Sequence, residues 1–221
     1  MTSVRRYLNL KKLKLNLLYF AKNFYIYRGK MKTKIMLSQS LKKLMLTNNL
    51  DKITVTQVTK LCKINRQTFY YHFKDIYDLV YWTLGNEEKL IVGDNYNAKS
   101  TNEIINNLYY YIISNEETIC GIYYSLRQDI LERYLVEKIE KYLFILLKKH
   151  PDMIDIEEDV IFEVCSFYKY SIVGKVFEWI RNGLSRDFST ELEQMGFFLE
   201  KSMIDSVNTI LIFKNKKKQA N

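Results

Sequence analysis

Residues 54–73, TVTQVTKLCKINRQTFYYHF, decide the fold of this chain, because they combine two short helical patterns with a turn between them. Thr54 precedes Gln57 by three residues, which is the spacing of a capping box at the start of a helix. Apolar residues then recur at helical spacing, namely Val55, Val58 and Leu61. This half of the stretch predicts a helix of about two turns.

The second half predicts another short helix with two different faces. Lys63 and Ile64 interrupt the first pattern, and Asn65 is a favourable N-cap for a new helix. Phe69 and Phe73 lie four residues apart and form an inward stripe. The outward face carries hydrogen-bonding and aromatic side chains: Arg66, Gln67, Thr68, Tyr70, Tyr71 and His72. A solvated face is the ordinary interpretation, but a basic, aromatic helix also fits the major groove of DNA.

The segment INRQTFYYHFKDIYDL, residues 64–79, resembles the recognition segment of the tetracycline-repressor (TetR) family of bacterial transcriptional regulators. The matching positions are Ile64, Asn65, Thr68, Phe69, Tyr70, His72, Phe73 and Leu79. The longer run NRQTFYYHFKDIYDLVYW resembles a subgroup linked to dihydroxyacetone-kinase operons, and VFEWIRNG at residues 176–183 resembles the end of the penultimate helix in many members. The resemblance implies a dimeric DNA-binding regulator that responds to a small molecule or a partner protein.

Two positions depart from the family pattern. Lys63 stands where the turn usually has a glycine, so the turn must either accept a cost of about 1 kcal/mol or adopt another geometry. Ile76 stands where many members have a lysine that contacts a phosphate, and Lys74 is the nearest substitute.

The candidate DNA-binding residues come from the two helices of the motif and the residue after it. They are Thr54, Thr56, Asn65, Arg66, Gln67, Thr68, Tyr70, Tyr71, His72 and Lys74. Arginine and glutamine pair with two atoms of a guanine or adenine edge, so Arg66 and Gln67 in the first turn are the expected base contacts. Tyrosine, histidine and lysine groups further along are expected to contact phosphates.

Composition favours an all-α protein. The chain has 221 residues with only one proline and seven glycines, which favours long helices over many turns. The cysteines are odd in number and far apart, so neither a disulfide framework nor a zinc site is expected: Cys62, Cys120 and Cys165. A reducing cytoplasm is therefore the expected location.

Charge is distributed unevenly along the chain, whose formal net charge is +9. Residues 1–30 contain eight lysines or arginines and no acidic residue, whereas residues 83–213 contain 22 acidic and 13 basic residues. Positive charge concentrated at one end favours nucleic-acid binding there and a different role for the acidic remainder.

The basic segment at residues 1–30 has two interpretations. As a functional arm it would add contacts to phosphates or to a membrane surface, and a helical membrane-surface or interaction protein is the alternative function that it supports. We favour an extension that is disordered or lies upstream of a true start at Met31. Lysines interrupt each apolar run here, so no signal peptide is expected, and no run in the chain approaches the 18 apolar residues of a transmembrane helix.

The periodicity predicts helices across residues 31–213, and the resemblance implies a three-helix DNA-binding domain at residues 31–91 and a helical ligand-binding and dimerisation domain at 92–213, followed by a basic tail at 214–221. A first helix from Thr33 to about Asn48 has its inward stripe at Leu37, Leu41, Leu44 and Met45, and Asp75 caps a long helix that links the domains. Further helices are expected near 101–114, 116–127, 129–149, 156–183 and 190–212. Their expected starts include Thr101 and a capping box of Thr190 with Glu193.

The last two helices, about 156–183 and 190–212, are expected to form a four-helix interface between two copies, because the first of them is apolar on more than one face. The expected ligand of the dimer is a double-stranded DNA operator with two similar halves. An enzyme is not expected, since two histidines, no glycine-rich phosphate loop and no HExxH motif leave no catalytic constellation. No cofactor or metal site is predicted, and no effector-binding residue is assigned.

Overall fold

A computed structural model describes residues 30–93, 98–185 and 188–219. These residues form nine α-helices and two short 3-10 helices, and they contain no β-strand. In chain order the helices are α1 (Lys30–Met45), α2 (Val55–Cys62), α3 (Arg66–His72), α4 (Ile76–Val92), α5 (Thr101–Ser114), α6 (Glu116–Tyr123), α7 (Gln128–Lys148), α8 (Glu158–Arg181) and α9 (Phe188–Gln219). The predicted all-α fold is confirmed.

The described residues divide into two compact units. The first contains residues 30–90 together with Ser114–Leu126. Within it α1 packs on α2, α2 packs on α3, and α6 packs on α1. Its core is formed by side chains with no exposed surface at the predicted inward positions: Leu37, Leu41, Val58, Phe69 and Leu79. The three-helix arrangement expected from periodicity is thus built on the expected apolar stripes.

The second unit contains Ile91–Ile113 and the described residues from Arg127 onward. In it α7 packs along α8, and α8 packs along α9. The hydroxyls of Tyr168 and Ser206 are 3.0 Å apart, and the ammonium of Lys214 lies 3.1 Å from the carboxylate of Asp159. These two contacts place the start of α8 beside the end of α9, so the two helices are antiparallel.

Two predicted inward positions are wrong. Leu61 of α2 is 48% exposed, because Thr59 and Cys62 occupy the buried positions of that helix. Leu44 of α1 is only half-buried, while Met45 beside it is buried. In a helix this short, a small polar residue with a locally bonded hydroxyl can take a core position, and Thr59 donates to the carbonyl of Val55 over 2.9 Å.

The predicted helix starts in the second unit also need correction. Ser100, not Thr101, caps α5, since its hydroxyl accepts from the backbone N–H of Glu103 over 3.2 Å. Thr101 is fully buried, and its own N–H and hydroxyl both donate to the carboxylate of Glu200. The last helix begins at Phe188, so residue 190 already lies inside it and is not its N-cap.

The C-terminal end of the described chain differs from the expected pattern. Helix α9 continues to Gln219, so most of the predicted basic tail at 214–221 is helical. Within this segment, Lys214 pairs with Asp159 in the acidic first turn of α8. Residues 1–29 of the predicted extension at 1–30, residues 94–97 and 186–187, and the last two residues of the chain lie outside the described residues.

Candidate nucleic-acid interface

The start of α2 is fixed by the predicted capping box. The backbone N–H of Gln57 donates to the Thr54 hydroxyl over 3.3 Å, and the backbone N–H of Thr54 donates to the Gln57 side-chain oxygen over 2.8 Å. The Thr54 hydroxyl also donates to that same oxygen over 2.9 Å. Thr54 is therefore engaged in holding the helix, whereas the exposed Thr56 in the first turn keeps its hydroxyl at the surface.

In the turn between the two helices, the backbone of Lys63 adopts the left-handed conformation. Lys63 has φ 56° and ψ 39°, the backbone conformation that glycine adopts without strain. The N–H of Lys63 donates to the carbonyl of Lys60, and the N–H of Ile64 donates to that of Thr59. This pair of bonds is a Schellman motif, which satisfies the last carbonyls of α2. The turn keeps its usual geometry and accepts the strain of a non-glycine residue.

The start of α3 is capped by Asn65, whose side-chain oxygen accepts from the N–H of Gln67 over 2.6 Å. Phe69 and Phe73 are buried with ring centroids 5.9 Å apart, so they fix the orientation of the helix on the core. Tyr70 and Tyr71 are 51% and 65% exposed. The outer surface of α3 is completed by the other predicted residues, of which Arg66 and Gln67 are exposed and Thr68 and His72 are half-buried.

The segment after α3 is shaped by two carboxylates. Asp75 accepts from the N–H of Asp78 over 2.8 Å, and Asp78 accepts from the N–H of Lys74 over 2.9 Å. The Lys74 side chain is exposed at the end of the motif, and Ile76 is buried in the core at 7% exposure. Asp75 is thus the predicted cap of α4, and Lys74 is left as an exposed cation there.

On its buried side, α2 contacts α1 through the thiol of Cys62. The Sγ of Cys62 lies 2.8 Å from the Oγ of Ser40 and donates to the carbonyl of Met36 over 3.2 Å. Burial raises the pKa of the Cys62 thiol, an effect that the hydrogen bond with Ser40 partly offsets. This thiol is therefore protonated at neutral pH and acts as a packing group rather than a reactive one.

The predicted DNA-binding residues lie within α2 and α3, at the N-caps of these two helices, and at Lys74, two residues after α3, and each is exposed or half-buried. Two of them, Thr54 and Asn65, are used as caps that position the helices. Lys34 of α1, which is outside the predicted set, is half-buried with its ammonium 5.2 Å from the centroid of the Phe73 ring, and Phe73 is the residue before Lys74. The proximity of Lys34 to a helix start was the only signal in the sequence, and that signal does not specify a neighbour 39 residues away.

Two comparisons find similar proteins. Residues 99–201 match the family model TetR_C_8, described as "Transcriptional regulator C-terminal region". A solved structure, "Dihydroxyacetone kinase operon activator DhaS", has a similar fold, with a TM-score of 0.57 and 20% sequence identity over 80% of this chain and 97% of that one. None of the curated proteins matches the chain in sequence. The family match lies entirely outside residues 64–79, so it is independent of the resemblance drawn from that segment.

Two other site types are absent from the part of the chain that the structure describes. It contains no cluster of histidine, cysteine, aspartate or glutamate side chains suited to a metal ion. None of its helices combines the length and the apolar character that crossing a membrane requires.

Proposed function

We infer that this chain, a transcriptional regulator of the TetR type, binds a pseudo-palindromic operator as a two-fold dimer. The family match and the shared fold confirm the resemblance of residues 64–79, and they favour a regulator over an enzyme or a membrane-surface protein. The exposed outer face of α3, with Arg66, Gln67, Tyr70 and Tyr71 above a buried Phe69, carries the proposal. A helix of seven residues spans too few base pairs to be selective alone, so two copies are needed.

The residues of the interface divide into two roles. Arg66, Gln67 and Thr68 lie in the first turn of α3 and are assigned to base edges, because their donors and acceptors match those of the major groove. Residues further along and at the start of α2 are assigned to the backbone: Thr56, Tyr70, Tyr71, His72 and Lys74. Thr54 and Asn65 serve the interface by capping α2 and α3.

The dimer is proposed to form through α8 and α9, and Gly174 is the main reason. A glycine within a helix costs about 1 kcal/mol relative to alanine. Gly174 is exposed, and a Cβ added there would meet no atom within 4 Å other than those of its chain neighbours and the adjacent backbone of its own helix. By contrast, a Cβ at Gly196 would collide with the side chain of Asn102, so that glycine is needed within the protomer. The absence of a side chain at Gly174 is explained by close approach of a second copy.

The surface around Gly174 fits this role. Phe167, Tyr170, Gly174 and Phe177 recur at alternating steps of three and four residues along α8, which is the spacing of a helix that packs against a partner. Large apolar side chains are exposed on both helices: Phe162, Phe167 and Tyr170 on α8, and Phe197, Phe198, Ile212 and Phe213 on α9. Such a concentration of exposed aromatic surface indicates an interface.

The protein is proposed to act in the cytoplasm, and its DNA binding is proposed to depend on whether the second unit has bound its effector. Residues 31–91 are assigned to DNA binding and residues 92–213 to dimerisation and to an effector, either a small molecule or a partner protein. The similar structure is named as an operon activator. Activation is therefore the sign of regulation to test first, with a promoter reporter in cells with and without the chain.

Selection of bound sequences from random duplexes tests the proposal directly. We expect recovery of a sequence with two similar half-sites about one helical turn apart, bound by two copies of the chain. Sedimentation of the protein with the selected duplex measures the stoichiometry. A single half-site bound by a monomer would contradict the dimer, and recovery of no preferred sequence would contradict operator recognition.

A further inference from the structure

Lys34 of α1 is held against two aromatic rings at the end of the recognition helix α3. Its ammonium lies 5.2 Å from the centroid of Phe73 and 5.8 Å from that of Trp82. The two rings are themselves 5.8 Å apart and nearly perpendicular, with an interplanar angle of 63°. The three side chains come from α1, from the residue that ends α3, and from α4, so the position of the ammonium is fixed by the core of the first unit.

No carboxylate within residues 30–93, 98–185 and 188–219 forms an ion pair with the ammonium of Lys34. Among the residues that the structure describes, its contacts are with aromatic rings. Asp75 and Asp78, which follow Phe73 in the sequence, accept hydrogen bonds from backbone N–H groups at the start of α4. An aromatic ring attracts a cation without cancelling its charge. Lys34 therefore presents a positioned ammonium that can still bind an anion.

The location of this ammonium matters because phosphates line both walls of the major groove that a recognition helix enters. Phe73 immediately follows the last residue of α3, and the exposed Lys74 comes next. Lys34 and Lys74 are thus two cations at the same end of the recognition helix. We propose that Lys34 binds a phosphate of the DNA backbone and that Phe73 and Trp82 position its ammonium for that contact.

This assignment rests on the proposed DNA-binding function and adds an element to it, since α1 becomes part of the interface. A positioned side chain loses less conformational freedom on binding than a mobile surface lysine does. A phosphate contact carries no sequence information, so Lys34 should raise affinity for all duplexes alike.

The test compares three variants on the selected operator and on random duplex at several salt concentrations. Lys34→Gln should lower the slope of log affinity against log salt by about 1 on both duplexes and leave their affinity ratio unchanged. Lys34→Arg should retain the slope, because arginine keeps both the charge and the stacking on aromatic rings. Lys43→Gln is the matched control: Lys43 is exposed on the same helix nine residues later, half a turn around its axis, and should leave the slope unchanged.

A spectroscopic measurement separates this role from a structural one. Trp82 is in contact with the ammonium, so DNA binding should change its emission, measured as the difference between the wild-type chain and Trp82→Phe. Lys34→Gln should abolish that change while the circular dichroism spectrum stays the same.

Either of two results would overturn the phosphate contact: an unchanged slope in a folded Lys34→Gln variant that still binds its operator, or an equal loss in Lys43→Gln. Failure of the wild-type chain to prefer any duplex would instead contradict the proposed function itself.

Discussion

The ammonium of Lys42 donates to the side-chain oxygen of Asn115 over 3.3 Å and lies 3.1 Å from the carboxylate of Glu87. This one lysine therefore joins α1 to α4 and to the residue that precedes α6. Two further contacts attach α6 to the same unit: Gly121 approaches the end of the Met45 side chain, and the N–H of Leu126 donates to the carboxylate of Asp51 over 3.0 Å. Helix α6 is thus attached to the rest of the first unit by the residue before it, by Gly121 within it and by Leu126 after it.

Replacing Lys42 by Met should lower the free energy of unfolding of the first unit by about 1 to 3 kcal/mol, because the Glu87 side chain is only 10% exposed and would lose its cation. Urea unfolding followed by Trp82 emission in a Trp179→Phe background measures this unit, since Trp179 lies in the second one. Lys43→Met, at an exposed position of the same helix, is the control and should change little. Equal midpoints for the two variants would contradict a stabilising role for Lys42.

The packing of α6 also shows what the sequence determines locally and what it does not. Helix positions, the capping box of Thr54 with Gln57, and the caps at Asn65 and Asp75 were predictable, because each depends on residues within about four positions of one another. The partner of a helix depends on contacts between distant residues, such as Lys42 with Asn115, 73 positions apart. Periodicity places α6 among the helices of residues 92–213 but gives no reason for it to pack on α1.

The same distinction explains the errors at single residues. Leu61 has the right spacing for the core of α2, but the position of α1 decides that Cys62 faces inward, beside Ser40. Thr101 and Ser100 are both good N-caps by residue type. Thr101 is turned inward, where its N–H and hydroxyl donate to the carboxylate of Glu200, 99 residues away, whereas the hydroxyl of Ser100 accepts the N–H of Glu103.

Lys63 offers a test of backbone strain in the helix-turn-helix motif. Lys63→Gly should raise the free energy of unfolding by up to about 1 kcal/mol, because glycine adopts φ near 56° without strain. The gain is reduced by the larger conformational freedom of glycine in the unfolded chain. Lys60→Gly, three residues earlier within α2, should instead destabilise by a similar amount. Opposite signs in urea unfolding support the left-handed turn, and destabilisation by both would exclude it.

A substitution at Gly174 should weaken the proposed dimer without destabilising the folded protomer. Gly174→Leu adds a side chain into open space on α8, so the folded protomer should keep its helical content or become slightly more stable. Dimer affinity should fall by about tenfold or more, because the partner helix loses its close approach. Sedimentation at several protein concentrations measures this. Leu126→Glu, at an 87% exposed position in the first unit, is the control and should leave the dimer intact.

The raised pKa of the Cys165 thiol should lower the free energy of unfolding at alkaline pH. Burial, aided by the negative charge of Glu140, raises the pKa of this thiol to about 12. The unfolded thiol loses its proton near pH 8.5, so above about that pH the native state binds one more proton than the unfolded state. Stability is then full below about pH 8.5 and falls as pH rises, by at most about 1.4 kcal/mol per pH unit for this thiol. Urea unfolding at several pH values should show a shallower decline for Cys165→Ala, and an unchanged slope would contradict the assignment.

Substitutions on the outer face of α3 and at Lys74 should distinguish contacts with DNA bases from contacts with the DNA backbone. Arg66 and Gln67 lie in the first turn beside the Asn65 cap, and both are exposed. Arg66→Ala or Gln67→Ala should cost about 1 to 3 kcal/mol on the selected operator and much less on random duplex, because only the operator presents the matching base edges. Lys74→Ala should weaken binding to both duplexes alike and lower the salt slope by about 1, because a phosphate is present in every sequence.

Binding isotherms on both duplexes at several salt concentrations distinguish these outcomes. Because Asn65 caps α3 independently of both side chains, substitutions at Arg66 and Gln67 should leave the helix in place, and the circular dichroism spectrum checks this. The ratio of operator to random affinity then isolates base recognition from helix stability. If that ratio stays at the wild-type value when both residues are replaced, α3 does not recognise the bases and another surface of the chain must select the operator.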